Sequence, residues 1–370
     1  MELMKNGLGN SAIARIAKAL NLVLDDFDQT LFIKQALANI EALELKERVV
    51  HIIAVLHQHL PDNFLTTLNI LEQLPAHWDP GDADDPLRSF AAWPIIDYIS
   101  TYGLNYPEQS LASLKQLTHL FSAEFAIRAF IQQDVNLCLA HLTQWLESDN
   151  EHVRRLISEG TRPRLPWGIR LNEFIDKPEL TIPLLSQLKN DKSLYVRRSV
   201  ANHLNDIAKD HPKLVVDTCK KWQKDNSDDV NWLIKHATRT LVKQGHPEVF
   251  SLLGFTHKPN VSCSKLTLTA KEISLGNELT FQLTLKSHAK TKQDFVIDFA
   301  IHFVKANGSS KAKVFKLKNV SLEPLSSTKL SKSFSFKKIT TRKYYSGEHK
   351  LEILLNGVPI KKQSFILTTS

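Results

Sequence analysis

The sequence has few cysteines and no long apolar segment, and both shortages exclude classes of protein. Its three cysteines, Cys138, Cys219 and Cys263, lie far apart among 370 residues, which fits neither a disulfide framework nor a zinc cage. No run of about 18 apolar residues could cross a membrane. The N-terminal residues also lack the basic, apolar and small-residue regions of a secretory signal. We therefore expect a cytoplasmic protein with inert thiols, no metal and no cofactor.

Acidic residues are concentrated in one irregular segment, residues 75–92, without forming a recognisable cation site. The segment contains Asp79, Asp82, Asp84 and Asp85. The EF-hand pattern requires glycine at its sixth position and glutamate at its twelfth, and this segment supplies neither. We expect these carboxylates to cap turns and helix ends.

The net charge of +8 is unevenly distributed along the chain. From Val261 to Ser370 there are 19 basic and 7 acidic residues, whereas the preceding residues contain 28 basic and 32 acidic ones. Such asymmetry is typical of a module that binds a polyanion. The alternative is a lysine-rich solubilising surface, but the lysines are spread over several predicted strands and turns, which favours a polyanion.

Hydrophobic periodicity divides the chain into a helical part and a strand part. Apolar residues recur at helical spacing from Phe32 to Leu60, from Asn63 to Leu74 and from Ile95 to Glu147. From Lys265 the pattern changes to alternation, which predicts about seven short strands and a β-sandwich. We therefore predict a mainly α fold. An α-α superhelix, or HEAT-like repeat solenoid, covers residues 1–257, and an immunoglobulin-like sandwich with a basic surface suited to a polyanion covers residues 258–370.

Several polar and aromatic side chains of the helical part have simple structural interpretations. One charged helix face is expected to be solvated and salt-bridged: Glu44, Lys46, Glu47 and Arg48. Trp93 is expected in the core at the start of a helix. Ser122 is a candidate helix cap. Glu124 and Arg128 are four residues apart, which by itself predicts a helix-surface ion pair.

An internal repeat organises the helical part. Residues 149–160, 191–204 and 228–241 align on Val153, Val196 and Val230, with spacings of 43 and 34 residues. These spacings are near those of HEAT-type helix pairs. A helix pair cannot bury its apolar face alone, so stacking into a curved solenoid follows, with the second helices lining the concave face. The first helices are expected near 179–188 and 213–223.

The most constrained stretch follows the first repeat helix. That helix has an apolar face from Val153 to Ile157 and should end at Gly160, and Pro163 and Pro166 prevent it from restarting. A short loop with basic and aromatic side chains follows: Arg162, Arg164, Trp167 and Arg170.

The repeat register predicts that acidic side chains converge beside this loop. Glu159 aligns with Asn202, and Asp206 lies one helical turn beyond Asn202 on the same face. Glu124, one helix pair earlier, is expected to face the same groove. The compensating cations would be Arg155, Arg162, Arg197 and Arg198. Because a polyanion repels three carboxylates, their presence in a groove that faces such a partner favours a chemical role over a binding role.

Residues 158–168, SEGTRPRLPWG, resemble the signature of the AlkC-type DNA glycosylases, which are HEAT-like repeat proteins of bacterial alkylation repair. Segments 43–56, 121–131 and 202–212 are similar to the same family, and the similarity extends over most of residues 25–250. Ala129 departs from the family pattern, which has proline there. The resemblance implies that the protein removes small N3-alkylated bases, 3-methyladenine and 3-methylcytosine, from DNA.

The resemblance also implies roles for individual residues. Catalysis is assigned to Glu159 and Asp206, closest to the sugar, with Glu124 in support. Substrate and DNA binding is assigned to Arg155, Arg162, Trp167, Arg197 and Arg198. A carboxylate near C1′ can stabilise an oxocarbenium-like sugar and position water, and a cationic base leaves without strong acid help. No lysine stands out as a Schiff-base nucleophile, so we expect a monofunctional enzyme.

The partner implied by this function is double-stranded DNA containing alkylated bases, bound by a monomer at the nucleoid. Two alternatives stay open. One is a non-catalytic HEAT-repeat scaffold or DNA-binding protein that uses the sandwich as a lysine-rich clamp. The other is a protein–protein adaptor, for which changing the lysines of residues 311–318 should not affect duplex affinity.

Overall fold

Helical and strand parts are both present in the computed structural model of the protein, which describes residues 3–340 and 342–369. The predicted mainly α fold with a C-terminal β-sandwich is confirmed. Two compact units divide the chain: Met1–Asp210 with Ser227–Ala237, and His211–Asn226 with Thr238–Ser370. The last helix ends at Leu252 and the first strand begins at Val261. The domain boundary between residues 257 and 258 stays a prediction.

The α-helices follow one another through short connections. In chain order they are α1 (Asn10–Asn21), α2 (Gln29–Leu37), α3 (Leu45–His59), α4 (Phe64–His77), α5 (Trp93–Tyr102), α6 (Pro107–Leu117), α7 (Ile127–Gln133), α8 (Val135–Gln144), α9 (Glu151–Gly160), α10 (Asn172–Asp176), α11 (Ile182–Leu188), α12 (Leu194–Ile207), α13 (Pro212–Trp222), α14 (Asp228–Ala237), α15 (Arg239–Lys243) and α16 (Pro247–Leu252). Short 3-10 helices occupy Met4–Leu8, Ile40–Ala42, Arg88–Ala92, Trp145–Glu147, Pro178–Leu180 and Gln223–Asp225. None of the helices in the described ranges is long and apolar enough to span a membrane.

Local polar residues decide where several helices begin and end. The helical pattern predicted from Phe32 to Leu60 is in fact two helices, because Asn39 adopts the left-handed conformation, with φ of 58°, between α2 and α3. Asn63 caps α4 by accepting a hydrogen bond from the Thr66 amide at 3.0 Å. The helix-cap role predicted for Ser122 is wrong, because α7 begins only at Ile127.

The acidic segment before α5 consists of turns, as expected. Asp79, Asp82 and Asp85 each accept a hydrogen bond from the backbone amide two residues further on, at 2.9, 2.9 and 2.7 Å. Within residues 3–340 and 342–369, no three His, Cys, Asp or Glu side chains are grouped so that they could hold a metal ion.

The predicted repeat helices α9, α12 and α14 pack against one another in sequence. Two arginines at equivalent positions tie the repeats together. Arg154 Nε donates to Asp191 Oδ2 at 2.6 Å, and Arg197 Nη2 donates to Asp229 Oδ1 at 2.7 Å. Each guanidinium also binds carbonyl groups of the loop before its own helix. The sequence repeat therefore recurs in the structure, both in the packing of successive helices and in the ion pairs between them.

The strands form two sheets that enclose an apolar core. They are β1 (Val261–Cys263), β2 (Thr267–Leu268), β3 (Glu272–Ser274), β4 (Glu278–Ser287), β5 (Gln293–Val304), β6 (Ser310–Leu322), β7 (Ser327–Ser335), β8 (Gly347–Leu355) and β9 (Val358–Thr368). In one sheet β4 pairs with β1, β2 and β7, and the other has the order β3-β9-β8-β5-β6. All pairs are antiparallel except β3 with β9.

The sandwich core explains the alternation seen in the sequence. Residues of β4 from Leu279 to Leu285 are buried at every second position, whereas β5, in the interior of its sheet, is buried at every position from Phe295 to Ile301. Successive side chains of a strand point to opposite faces, so alternating apolar residues supply the inner face of each sheet. The sequence predicted seven strands, which correspond to the short β2 and the six long strands; the short β1 and β3 were not predicted.

Candidate active site

The site is built where α9 ends against α7. A Cβ at Gly160 would lie 2.7 Å from Ile127 Cγ2, so only glycine lets the end of α9 approach α7 this closely. The loop that follows, residues 161–171, is held by the buried Arg128. Its guanidinium donates to the carbonyls of Gly160 at 2.9 Å, Arg162 at 2.8 Å and Ile169 at 2.8 Å.

The predicted surface ion pair between Glu124 and Arg128 is therefore wrong. Arg128 is 0% exposed and points into the loop. Burial and the neighbouring Arg162 lower the pKa of Arg128 to about 10, so the side chain remains a cation at neutral pH. Its charge-assisted hydrogen bonds fix the loop backbone from inside.

Two of the predicted acids meet on a shared arginine. Glu159 at the end of α9 is 5% exposed and Asp206 at the end of α12 is 2% exposed. Arg162 lies between them: its Nη1 is 2.7 Å from Glu159 Oε1, and its Nε is 2.8 Å from Asp206 Oδ2. The convergence predicted from the 43-residue repeat shift is thus present in the structure.

Arg155 connects the third acid to this pair. Its Nη1 binds Glu124 Oε2, and its Nη2 lies 3.5 Å from Glu159 Oε1. The guanidinium also stacks over the Tyr195 ring, 4.9 Å from its centroid. Arg155 therefore contacts two acids at once, one of them four residues further along its own helix.

Hydroxyl groups and a lysine complete the contacts of the acids. Ser122 Oγ donates to Glu124 Oε2 at 2.7 Å, and Ser199 Oγ donates to Glu159 Oε2 at 2.6 Å. At the other end Lys209 Nζ lies 2.8 Å from Asp206 Oδ1. We call the resulting chain Glu124–Arg155–Glu159–Arg162–Asp206–Lys209 the carboxylate–cation chain.

The charges of this chain balance, which allows them to be partly buried. Three carboxylates alternate with three cations, and each neighbour in the chain has the opposite sign. Burial alone would lower the pKa of Arg162, but Glu159 and Asp206 outweigh it and the pKa is raised. Buried ion pairs persist only when their partners and hydrogen bonds are complete, as they are here.

A cavity of about 260 Å³ opens beside the chain. Glu124, Glu159 and Arg162 form its polar wall. The remaining wall is aromatic and apolar: Phe90, Trp93, Phe121, Phe125, Leu165, Pro166 and Trp167. Asp206 is not among the lining residues and reaches the cavity only through Arg162.

Trp93 forms the centre of the aromatic wall. Its ring is stacked on Phe121 at a centroid distance of 5.2 Å and on Phe125 at 5.1 Å. The prediction that Trp93 belongs to the core is confirmed by its 2% exposure, yet one edge of the ring still lines the cavity. The segment FSAEF at residues 121–125 contained a signal for this wall, because its two phenylalanines bracket Glu124.

Trp167 lies at the edge of the cavity and is 51% exposed, so it is not a core residue. Its φ of 65° is left-handed, which is rare for a bulky residue and occurs mostly where function requires it. Lys46 of α3 donates a hydrogen bond to its carbonyl. Arg164 of the same loop pairs with Asp210 at 2.9 Å.

Two predicted cations lie away from the acids. Arg197 is 8% exposed and is engaged in the repeat tie to Asp229, because its side chain leaves α12 near the helix start. Arg198 is exposed on α12. The structure therefore corrects their assignment as compensating cations: Arg155, Arg162 and Lys209 supply that charge. A DNA-binding role for Arg197 and Arg198 stays a prediction.

Fold and site together define a class: a HEAT-like repeat protein with an immunoglobulin-like module and a balanced carboxylate–cation chain beside an aromatic cavity. Residues 262–369 match the family described as the C-terminal Ig-like domain of the uncharacterised protein YhaZ. Over 333 residues the chain is 36% identical to YhaZ of Bacillus subtilis strain 168, covering 90% of both chains.

A solved structure of another protein is similar to the whole chain. The Pseudomonas fluorescens alkylpurine DNA glycosylase AlkC, bound to DNA containing an abasic site analogue, superimposes with a TM-score of 0.92. The two chains are 38% identical, and the match covers 100% of each. The chain belongs to the AlkC-type family.

Proposed function

We propose that this protein is a DNA glycosylase. It hydrolyses the N-glycosidic bond of small cationic N3-alkylated bases, such as 3-methyladenine and 3-methylcytosine, and thereby begins base excision repair. The observation that carries the proposal is the carboxylate–cation chain beside the cavity, in a chain similar over its full length to AlkC.

Cleavage of the glycosidic bond leaves positive charge on the sugar. Glu159 lines the cavity and is the carboxylate best placed to stabilise this charge and to orient the attacking water. Glu124 lines the same cavity and supports it, and Asp206 acts close by through Arg162. An N3-alkylated base is already cationic and leaves as a neutral molecule, so no strong acid is required.

The arginines of the chain hold the acids in position. Arg155 and Arg162 hold the carboxylates in a fixed orientation before substrate arrives, which removes the cost of reorganising them during the reaction. Arg155 and Arg162 also bind the phosphates that flank the alkylated nucleotide. Trp167, exposed at the cavity edge, packs against the deoxyribose.

The proposed enzyme is monofunctional. Lys209 is the lysine nearest the acids, but its ammonium is engaged in an ion pair with Asp206 at 2.8 Å, which opposes attack on C1′. Borohydride treatment of a reaction mixture should trap no covalent adduct between protein and DNA. A trapped adduct that disappears in Lys209→Arg would show that lyase chemistry occurs.

The proposed partner is double-stranded DNA with alkylated bases, bound by a monomer in the cytoplasm at the nucleoid. The 19 basic residues after Val261 supply positive charge for the phosphate backbone. A non-catalytic HEAT-repeat DNA-binding protein would bind DNA with the same salt dependence, so binding alone does not separate the two functions.

Base release separates them. N-methylated duplex DNA is incubated with the wild type and with Glu159→Gln, and the released bases are measured by chromatography. We expect 3-methyladenine and 3-methylcytosine from the wild type and a loss of about 10²-fold or more in Glu159→Gln, because a preorganised charge is removed. Glu173→Gln is the matched control. Glu173 is exposed on α10, and its ion pair is with Lys177, the residue just after that helix. Intact methylated duplex after incubation with wild type would refute the proposal.

A further inference from the structure

We infer that Lys46 is a positioning residue of the reaction, acting through the backbone of Trp167. The inference rests on the proposed function, because it concerns the wall of the same cavity. Lys46 lies in segment 43–56, one of the segments that resemble the AlkC-type family. Its ammonium donates to the carbonyl of Trp167, 121 residues further along the chain.

The position of Trp167 needs an external tie. Its left-handed φ of 65° is unfavourable for a residue with a large side chain, so the surrounding structure must hold the peptide in place. Arg128 holds the loop at Gly160, Arg162 and Ile169, which leaves the Trp167 carbonyl to a different donor. Lys46 is that donor.

A second cavity explains why packing alone does not hold the indole. About 230 Å³ of space lies behind Trp167, between α3, α5 and the loop. Trp93, Phe125 and Trp167 line both this cavity and the one beside the acids, so they form a wall between two open spaces. Lys46 and Asp97 line the second cavity. The second cavity leaves the Trp167 side chain room to move. The hydrogen bond from Lys46 of α3 to the Trp167 carbonyl limits that movement.

Neighbouring side chains support the hydrogen bond between Lys46 and the Trp167 carbonyl. Trp93 Nε1 donates to Asp97 Oδ2 at 2.7 Å, so the carboxyl of Asp97 is anchored to the same aromatic wall. Burial raises the pKa of Asp97 to about 7, and the hydrogen bond from Trp93 and the positive charge of Lys46 oppose that rise. The other basic residue of the segment, Arg48, is buried and donates to the carbonyls of Lys5 and Leu8 near the N-terminus. The predicted solvated, salt-bridged face is therefore confirmed for Glu44, Lys46 and Glu47, which are exposed, and wrong for Arg48, which is buried.

The test combines single and double variants in base release from N-methylated duplex DNA. Lys46→Met removes the donor but keeps the aliphatic stem, and Lys34→Met on α2 is the control for loss of one exposed positive charge. We expect Lys46→Met to lower kcat about tenfold, because a misplacement of about 1 Å in a reacting site costs up to 10²-fold. The dissociation constant for DNA should change less than twofold, Lys34→Met should behave as wild type, and Lys46→Arg should restore most of the rate.

The double variant shows whether Lys46 acts through Trp167. In a Trp167→Ala background, adding Lys46→Met should cause no further loss, because the wall that Lys46 positions is already absent. An equal loss in both backgrounds, or no loss in either, would overturn the inference. A weaker dissociation constant together with a shallower salt dependence would also overturn it, since Lys46 would then contact phosphate directly. If the wild type itself releases no base, the proposed function fails instead.

Discussion

Each acid of the carboxylate–cation chain has an oppositely charged neighbour that is also largely buried. Removing one member therefore does more than delete a contact, because it leaves a desolvated partner behind. Glu159 has the most to lose: Arg155, Arg162 and Ser199 all contact its carboxylate.

We therefore expect Glu159→Gln to lower stability as well as activity, but by different amounts. The amide oxygen still accepts from the arginines, but the amide nitrogen cannot accept from Ser199 and the charge is lost, so the free energy of unfolding should fall by about 1–3 kcal/mol. Urea denaturation followed by circular dichroism measures this. If the variant were unfolded at room temperature, its loss of activity would say nothing about chemistry, and Ser199→Ala, which removes one neutral donor to the same carboxylate, would replace it.

His203 predicts a sensitivity to acid. It is fully buried; its Nδ1 donates to the Ser158 carbonyl at 2.9 Å, and burial lowers its pKa from 6.5 to about 4. The unfolded chain therefore binds a proton at His203 more tightly than the folded chain does. The contribution of neutral His203 to stability is fully present above about pH 6.5 and is lost as the pH falls towards 4.

The variant that tests this is His203→Gln. It should unfold more easily at pH 7 but lose less additional stability between pH 6.5 and 4, the wild-type loss from this residue being on the order of 3 kcal/mol. Urea titrations at several pH values measure both. Parallel stability curves for wild type and His203→Gln would contradict the assignment.

At the scale of elements, single side chains and glycines decide how loops attach to helices and strands. Arg128 of α7 holds the 161–171 loop through three carbonyls, which a planar guanidinium with several donors can reach at once. Lysine, with a single compact charge, cannot replace it.

Arg128→Lys should therefore loosen the loop while α7 and α9 remain folded. We expect a loss of about 2–4 kcal/mol in stability, because two or more buried carbonyls lose their donor, and faster amide hydrogen exchange confined to residues 161–171. Exchange measured by mass spectrometry checks the location. Unchanged exchange in the loop would mean that the proline-rich backbone is rigid without Arg128.

Two turns between strands of the C-terminal unit offer a matched pair of glycines. Gly357 and Gly308 both have φ of 75°, so alanine carries the same backbone strain at each. A Cβ at Gly357 would lie 2.1 Å from Gly245 Cα, whereas a Cβ at Gly308 meets nothing within 4 Å.

Gly308→Ala should cost about 1 kcal/mol from the left-handed backbone alone. Gly357→Ala should cost several kcal/mol more, because the turn after α15 and the hairpin between β8 and β9 must move apart. Thermal unfolding of the two variants gives the difference. Equal losses would show that the close approach at Gly245 relaxes easily.

At the scale of the molecule, charge separates the chain into a slightly acidic part and a basic part. The edge strand β6 carries four of the lysines: Lys311, Lys313, Lys316 and Lys318. Lysines on an edge strand also prevent pairing with other chains, so their presence alone does not prove that they bind a ligand.

Three of these lysines can test the DNA interface. Lys316 is left unchanged because it lies opposite Asp298 on β5. Burial raises the pKa of Asp298 to about 6, and the positive charge of Lys316 opposes that rise. Changing Lys311, Lys313 and Lys318 to glutamate should weaken duplex binding and reduce the slope of log K against log salt by up to about 3. Fluorescence anisotropy at several salt concentrations measures the slope. Unchanged affinity would instead favour the protein–protein adaptor.

The sequence by itself determined what short-range spacing encodes. The 43-residue shift placed Glu159 and Asp206 on neighbouring faces of α9 and α12, because helices that repeat in sequence repeat in space. Alternating apolar residues determined the inner faces of β4 and β5 for the same kind of reason. Gly160 and the two prolines after it determined where α9 would give way to a loop.

Only the tertiary structure decided which partner each charged side chain takes. Arg128 turned inward to the loop, Glu124 in the turn before α7 paired with Arg155 of α9, and Lys46 reached Trp167 across 121 residues. Spacing along one helix offers a charged residue its i+4 neighbour, but that contact is worth only tenths of a kcal/mol. A buried carbonyl or carboxylate left without a partner costs several times more, so packing, and not sequence proximity, selects the pairs.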